Sequence, residues 1–196
     1  MELSIVTPTI RPLNLPAVYA SILEMNNSKI EWIILFDKGK RDERIKKYES
    51  FVPIIIDDTI NRGNAPASNH RNKGLDLSRG KWIYFLDDDT IIHPNLLNEI
   101  KKCDPNNDFV LIFNQYGIDG KKRINDFIIK PNQPYLITGA QIVVSKKYKY
   151  IKWTNNRNYA EECDYLEKID NEIGYEKIKF INKCLTYRNY LRRYET

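Results

Sequence analysis

The sequence is poor in cysteine and glycine and contains no long apolar run. Its three cysteines, Cys103, Cys163 and Cys184, are odd in number and widely spaced, which argues against a disulfide framework or a zinc ribbon. Glycine and proline supply only 8 and 9 of the 196 residues, too few for a disordered or fibrous chain. No stretch approaches the roughly 18 apolar residues of a membrane span, and the first residues lack a signal-peptide pattern. We therefore expect a soluble, cytoplasmic globular protein.

Charge and length narrow the class further. Lys and Arg exceed Asp and Glu by 31 to 26, giving a net charge of +5, but the two signs are interspersed apart from short basic groups such as 188–193. This pattern suits a phosphorylated small molecule, and we expect no nucleic-acid partner. A chain of 196 residues is long enough for one well-buried core and too short for two ordinary domains.

Strand and helix patterns alternate along the first half. Short β-branched runs predict strands, and apolar spacing on one face predicts helices between them. We expect an α/β fold with a mostly parallel, Rossmann-like central sheet flanked by helices, which collects ligands at the carboxyl ends of its strands. Predicted strands are 3–7 (ended by Pro8), 32–36, 52–56 (ended by Asp58) and 82–86, and predicted helices are 13–25, 41–50 and 65–77.

The second half of the sequence has a different pattern of predicted helices and strands. A helix is predicted at 95–103, followed by a hairpin of strands 109–114 and 124–129 around a turn at 117–120. A strand at 136–145, a helix at 160–173 and a short last strand at 177–181 complete the chain. We expect a small antiparallel part here.

Three consecutive carboxylates, Asp87, Asp88 and Asp89, follow the apolar strand 82–86. Such repulsion is unfavourable unless a cation relieves it. If the segment is extended, Asp87 and Asp89 share a face and Asp88 points away. Carboxylates suit Mn²⁺ or Mg²⁺, which complete their shells with water and phosphate oxygens. A plain acidic turn, in which Asp89 or Thr90 caps the next helix, is the alternative.

The segment 61–74 lies directly before the acidic strand. It supplies Gly63, a helix N-terminus and Arg71, all suited to phosphate oxygens. Here the sequence resembles the inverting family 2 glycosyltransferases, which have the GT-A fold. The residues that carry the resemblance are Asn61, Gly63, Ala67, Arg71, Asn72, Gly74, Gly80, Leu86, Asp87, Asp89 and Pro94.

The resemblance implies a single GT-A domain over 1–196, with a nucleotide-binding half at 1–95 and an acceptor-binding half at 96–196. It also implies a metal-dependent, inverting transfer from a nucleotide-diphosphate sugar, UDP-sugar above all, to a hydroxyl acceptor. Asp37 would bind the base, Arg71 would face the diphosphate, and Asp89 with Asp87 would hold the metal. The implied nucleotide-sugar-binding residues are Thr7, Pro8, Thr9, Arg11, Asp37, Asn61, Gly63, Arg71, Asp87, Asp88 and Gly139.

Inverting transfer also needs a base for the acceptor hydroxyl. By the same resemblance, Glu162 occupies the position where the family has an Asp, and Asp164 or Glu161 are alternatives. Acidic residues in a first helical turn are also favoured by the helix dipole alone. Trp153 and Tyr159 are candidates for stacking on a sugar, or else ordinary core or surface aromatics.

Competing hypotheses remain. A nucleotidyltransferase also uses paired carboxylates beside a parallel sheet, but segment 7–12 lacks the Gly-rich loop common in that class. A degenerate nucleotide-sugar-binding module is the other alternative. Tyr187 and Arg188 resemble a feature of the same family that lies near the donor phosphates, and a solvated basic tail at 188–193 is the preferred interpretation.

Overall fold

The structure is a computed structural model that describes residues 1–48, 52–61, 67–123, 137–154 and 161–194. Its strands are β1 (Leu3–Thr9), β2 (Ile30–Asp37), β3 (Ile54–Ile60), β4 (Trp82–Phe85), β5 (Ile91–Ile92), β6 (Val110–Tyr116), β7 (Lys122–Arg123), β8 (Ile142–Ser145) and β9 (Ile178–Tyr187). Its α-helices are α1 (Leu15–Leu23), α2 (Ser68–Leu77), α3 (Leu96–Ile100) and α4 (Glu161–Ile173). Short 3₁₀ helices cover Pro12–Asn14, Glu43–Tyr48, Gly139–Gln141, Lys146–Tyr148, Tyr175–Lys177 and Tyr190–Tyr194.

All described strands join one sheet in the order β3-β2-β1-β4-β8-β6-β9-β5, with β7 paired to β6. The pairs among β1, β2, β3 and β4 are parallel. Strand β8 then pairs antiparallel with both β4 and β6. The predicted α/β class is confirmed, with a parallel side formed by β1 to β4 and a mixed second side.

The sheet is buried on both faces, as continuous apolar strands predict. Along β4, Trp82 and Tyr84 belong to one apolar cluster and Ile83 and Phe85 to the other. Helices α1 and α3 cover the first face, while α2 and α4 cover the second. Because the helices hold the sheet between them, the strand ends are rigid supports for a site.

Helix α2 packs very closely on β1. A Cβ at Gly74 would lie 2.2 Å from a methyl of Val6, so only glycine allows this approach. The close contact fixes the start of α2 beside the carboxyl end of β1.

Two predicted strand ends were wrong. Strand β1 continues through Pro8 to Thr9. Its pairing with β4 ends at Val6, so Pro8 has no β4 partner, and the N–H that proline lacks is tolerated there. Strand β3 runs to Ile60, so Asp58 lies inside it and does not end it.

The C-terminal strand is longer than predicted. Strand β9 has ten residues, and a register shift lets Asn182 and Lys183 bulge out between the pairs Phe113 with Ile181 and Asn114 with Cys184. The polar bulge interrupts the apolar pattern, so the sequence did not predict the full strand.

In place of the predicted helix at 41–50 there is the 3₁₀ helix Glu43–Tyr48. Predicted strand 124–129 lies outside the described residues. Within the described ranges, no helix has the length and apolar character needed to cross a bilayer.

Candidate active site

A cavity of about 250 Å³ opens at the carboxyl ends of β1, β2 and β4. This is the position where parallel α/β sheets bind ligands. The predicted site residues Pro8, Thr9, Arg11, Asp37, Asp87, Asp88 and Asp89 line it, together with Ile10, Ala67, His70 and Arg192.

The acidic turn, residues Asp87 to Thr90, forms one wall. Strand β4 ends at Phe85, and the Thr90 N–H donates to the Asp87 carbonyl at 3.1 Å, which closes a turn. The assumption of extended backbone, on which the expected direction of Asp88 depended, was therefore wrong. All three residues line the same cavity.

Asp88 holds the chain that leaves β1. Its Oδ2 accepts hydrogen bonds from the backbone N–H groups of Ile10 and Arg11, each at 2.8 Å, and from the Thr9 hydroxyl at 3.0 Å. Arg11 Nη1 adds a contact of 3.1 Å to Oδ1. The carboxylate thereby fixes one wall of the cavity, and its side chain is only 5% exposed.

Replacing Asp88 by alanine is expected to lower the free energy of unfolding by about 2 kcal/mol, since the half-buried N–H groups of Ile10 and Arg11 lose their acceptor. Urea denaturation measures the change. Asp76→Ala is the control, because Asp76 pairs with Lys152 at a surface where its side chain is 63% exposed. Equal destabilisation by both substitutions would contradict the anchoring role of Asp88.

Asp89 is nearly buried and pairs with an arginine that sequence reasoning missed. Its Oδ2 lies 2.5 Å from Arg192 Nε and 3.7 Å from Arg11 Nη1. The Leu191 N–H donates to the Asp89 carbonyl at 3.2 Å. The interpretation of 188–193 as a solvated tail is therefore wrong at its centre, since Leu191 and Arg192 pack against the acidic turn.

Asp87 has an unusual acidity. Burial raises the pKa of its carboxyl to about 6, and the neighbouring carboxylates of Asp89, Glu162 and Asp88 push in the same direction against the opposing pull of Arg71. The charged form of Asp87 is therefore less favourable than that of an ordinary aspartate.

The raised pKa of Asp87 predicts a pH dependence of stability. Between pH about 4 and about 6 the native protein keeps a proton that the unfolded chain has lost, so the free energy of unfolding falls as pH rises through this window. The penalty should be on the order of 1 to 2 kcal/mol and complete above pH 6. Asp87→Asn should abolish it. Urea denaturation in chelator at pH 4.5 and 7 measures both proteins, and a wild-type-minus-variant difference that stays constant with pH would contradict the prediction.

Arg71 joins the acidic turn to the start of α4. Its guanidinium lies 3.3 Å from Asp87 Oδ1, 3.0 Å from Glu161 Oε2 and 3.7 Å from Glu162 Oε1. The side chain is 6% exposed and stacks on Trp153, with its Cζ 4.5 Å from the ring centroid. In this arrangement Arg71 organises carboxylates, and its contact with a diphosphate stays a prediction.

Gly139 lies against the same group. Its N–H donates to Glu162 Oε1 at 3.2 Å, and a Cβ on it would lie 2.8 Å from Arg71 Nη2. The absence of a side chain at Gly139 thus leaves room for the guanidinium and lets the backbone orient Glu162.

Asp37 meets a histidine that was not among the predicted site residues. His70, from the first turn of α2, has its Nε2 3.1 Å from Asp37 Oδ1 and a side chain that is only 2% exposed. Both residues line the cavity. The sequence could have indicated His70, because His70 lies one helical turn before Gly74. The close contact of Gly74 with β1 places that face of α2 toward the strand.

Other predicted residues lie elsewhere. The Thr7 side chain is fully buried, and its hydroxyl accepts a hydrogen bond from Trp32 Nε1 at 2.9 Å, so it belongs to the core. Asn61 is exposed and does not line the cavity. The Asp164 carboxylate accepts a hydrogen bond from the Thr154 hydroxyl at 3.3 Å. Gly63 and Tyr159 lie outside the described residues.

Of the two interpretations of Trp153, sugar stacking or an ordinary core or surface aromatic, the structure supports a core residue. It is 3% exposed and stacks on Tyr165 at a centroid distance of 4.2 Å.

Across the part of the chain that the structure describes, no group of three His, Cys, Asp or Glu side chains is arranged to hold a metal ion.

Comparison with known sequences identifies a family of glycosyltransferases. The sequence model of the family described as glycosyl transferase family 2 matches residues 4–157. An uncharacterized glycosyltransferase of Haemophilus influenzae is 27% identical over 206 residues, which cover 94% of this chain and 67% of the relative. The poly(ribitol-phosphate) beta-N-acetylglucosaminyltransferase TarP of Staphylococcus aureus is 30% identical over 129 residues, covering 62% of this chain and 38% of TarP.

Solved structures resemble the whole fold. S. aureus TarS 1-349 has a TM-score of 0.73 at 16% identity, covering 95% of this chain and 60% of that one. The same fragment in complex with UDP-GlcNAc has a TM-score of 0.70 at 15% identity, covering 95% and 58%. The chain thus spans about two thirds of the Haemophilus relative and less of the TarP and TarS chains. Identity this low shows the fold alone, and it confirms the GT-A architecture. Because the family model covers most of its length, the chain belongs to glycosyl transferase family 2.

Proposed function

We propose that this chain transfers a sugar from a nucleotide-diphosphate sugar, a UDP-sugar, to a hydroxyl acceptor with inversion at the anomeric carbon. One observation carries the proposal: Arg71 links the acidic turn of the cavity to Glu161 and Glu162 at the start of α4. A leaving-group site and a candidate base are thereby neighbours. The name of TarP supports transfer of a sugar, and the UDP-GlcNAc complex of TarS supports a UDP-sugar donor.

The nucleoside is assigned to the part of the cavity between β1 and β2. Pro8 and the 9–11 segment, held by Asp88, form one side. Asp37 lies on the same cavity wall beside His70 and offers a carboxylate acceptor to a base N–H. Together they provide a cavity wall and a hydrogen-bond acceptor for a base.

The charges around the cavity suit a divalent cation. Among the described residues at the cavity and beside Arg71, the carboxylates outnumber the guanidinium groups. The carboxylates are those of Asp37, Asp87, Asp88, Asp89, Glu161 and Glu162. The guanidinium groups are those of Arg11, Arg71 and Arg192. A diphosphate would add to this excess. Burial raises the pKa of Asp87, and the neighbouring carboxylates of Asp89, Glu162 and Asp88 raise it further. Hard carboxylate oxygens fit Mn²⁺ or Mg²⁺, and Asp89 and Asp87 are the residues that would hold the ion. Bound there, it would stabilise the negative charge on the leaving diphosphate.

Glu162 is proposed as the base. The Gly139 N–H and the Arg71 guanidinium both contact its Oε1, and these contacts orient the carboxylate. The acceptor hydroxyl gives its proton to Glu162 as its oxygen forms the new bond to the anomeric carbon. The bond from that carbon to the diphosphate breaks, and its electron pair leaves with the nucleotide.

A donor panel tests the proposed function. Purified protein is incubated with UDP-, GDP-, CDP- and TDP-sugars, in Mn²⁺ and in chelator, and release of free nucleotide is measured. We expect release from one or more UDP-sugars in Mn²⁺ only. Pyrophosphate release from a nucleoside triphosphate would indicate a nucleotidyltransferase, and nucleotide binding without any turnover would indicate a degenerate module.

A further inference from the structure

A cluster of lysines lies at the edge of the sheet opposite the cavity. Lys81 precedes β4, Phe109 precedes β6 and Lys177 precedes β9, while Lys146 follows β8. Because β4, β6 and β9 run in one direction and β8 runs against them, these residues meet at the amino ends of the strands. The cavity lies at the carboxyl ends. We call this cluster the basic edge, and its lysines are Lys81, Lys146, Lys147, Lys149 and Lys177.

Backbone hydrogen bonds join the segments of the basic edge. The Lys146 N–H donates to the Lys81 carbonyl at 2.9 Å, and the Phe109 N–H donates to the Lys177 carbonyl at 3.1 Å. The Ser145 N–H donates to the Phe109 carbonyl at 2.8 Å. The segments that carry the lysines therefore have fixed positions relative to one another.

Aromatic rings lie among the lysines. The ammonium groups of Lys147 and Lys177 lie 5.9 and 5.2 Å from the centre of the Phe109 ring. Tyr148 packs on Phe109 at a centroid distance of 4.5 Å, and the Tyr150 ring lies 6.0 Å from that of Tyr148. Tyr150 is 55% exposed, so the aromatic group extends to the surface.

Positive charge exceeds negative charge at the basic edge. Lys81 pairs with Glu2 at 3.1 Å. The Asp104 carboxylate accepts hydrogen bonds from two residues of its own turn, and Glu176 is exposed. Among the residues that the structure describes, four lysines of this edge have no carboxylate within salt-bridge distance, and these are Lys146, Lys147, Lys149 and Lys177.

A cavity of about 570 Å³ lies within the basic edge. Its lining residues are Lys81, Lys146 and Lys147 together with Asp104, Pro105, Asn106 and Ser145. Ammonium groups bind phosphate oxygens as point charges. The edge therefore provides a recess for a phosphate-bearing headgroup beside a wider basic surface.

This combination of groups fits the headgroup region of an anionic bilayer. Lysines near such a surface are attracted to acidic lipids, and their aliphatic stems let the ammonium groups stay at the level of the headgroups. Tyrosine is favoured at the membrane interface because its ring is apolar and its hydroxyl is polar. Single-stranded nucleic acid fits less well, since it needs open ring faces for base stacking, and the Phe109 ring already packs against Tyr148 and two lysines.

We propose that the basic edge, with its aromatic residues Phe109, Tyr148 and Tyr150, docks the protein on a membrane surface that contains anionic phospholipids. The inference uses no residue of the cavity and does not depend on the proposed function. Docked in this way, the protein turns its cavity away from the bilayer and toward the solution.

Vesicle sedimentation tests the docking. Wild-type protein is mixed with vesicles of phosphatidylcholine that contain about one third phosphatidylglycerol, and with vesicles of phosphatidylcholine alone. We expect binding to the anionic vesicles that weakens in high salt, and little binding to the neutral ones. Lys146→Gln combined with Lys147→Gln should weaken binding to the anionic vesicles by about tenfold or more, because each lysine near the surface contributes a factor of about five.

Two further variants make the test specific. Lys121→Gln combined with Lys122→Gln removes the same charge at the other end of β6, where Lys121 is 85% exposed, and should bind within about twofold of wild type. Tyr150→Ser should weaken binding about threefold in low and in high salt, because the ring contributes without charge. Circular dichroism and the melting temperature confirm that each variant is folded.

The outcomes separate the hypotheses. A loss confined to the variants of the basic edge supports the docking. Equal weakening by the two double variants would show an effect of net charge alone, and wild-type protein that binds oligothymidylate but no vesicles would show a nucleic-acid surface. Either result overturns the inference, as does wild-type protein that binds neither. Nucleotide release from a soluble donor should be unchanged in the Lys146 and Lys147 double variant, so the inference and the proposed function are tested separately.

Discussion

Replacing Asp89 by asparagine is expected to reduce Mn²⁺-dependent binding of UDP by at least about 100-fold, the scale on which metal sites respond to lost ligands or supports. Asparagine keeps the shape of the side chain but removes the charge that a hard cation needs. Asp89 borders the cavity, and its carboxylate is nearly buried beside Arg11 and Arg192. Calorimetric titration of UDP in Mn²⁺ measures the loss.

The Asp89 substitution needs a control for charge and for folding. Asp76→Asn removes a carboxylate from an exposed surface pair with Lys152 and should bind UDP as wild type does. The melting temperature in chelator shows whether the altered contact with Arg192 unfolds the protein. Undiminished Mn²⁺-dependent UDP binding by a folded Asp89→Asn variant would remove Asp89 from the metal site.

Glu162→Gln is expected to lower kcat by about 10²- to 10⁴-fold, the range that a general base contributes. Binding of UDP should change little, because Glu162 belongs to the acceptor side of Arg71, and glutamine can still accept the Gly139 N–H. The measurement is nucleotide release from the donor identified in the panel, with its acceptor, beside calorimetric binding of UDP.

Other acids on α4 give the comparison that the Glu162 prediction requires. Glu172 lies on the same helix and is exposed, so Glu172→Gln should leave kcat unchanged. Glu161 and Asp164 were the alternative bases, and their carboxylates contact Arg71 and Thr154 respectively. A greater loss of kcat in Asp164→Asn or Glu161→Gln than in Glu162→Gln would transfer the role of base to that residue.

Local patterns predicted the parallel half of the fold. Strands β2 and β4 have apolar residues on both faces, and both faces are covered by helices. The sequence also predicted helix α2 before β4 and the carboxylates after β4, because each of these patterns lies within a few adjacent residues. The position of the cavity then follows from the rule that ligands bind at the carboxyl ends of parallel strands.

Long-range contacts were not predictable in this way. Asp88 and Arg11 are 77 residues apart, and Asp89 and Arg192 are 103 residues apart, and no local pattern encodes such pairs. The assumption of extended backbone through Asp87–Asp89 failed because a turn closes after β4. The basic group at 188–193 was noticed by its charge, but only the fold of β9 shows that one of its arginines reaches the cavity.

The most direct test of the central claim is a titration of wild-type protein with UDP, once in Mn²⁺ and once in chelator. If the acidic turn holds a cation that receives the diphosphate, UDP should bind with a stoichiometry of about one in Mn²⁺, and chelator should weaken that binding by at least about tenfold. Equal UDP affinity in Mn²⁺ and in chelator, or no binding in either, would contradict the proposed site.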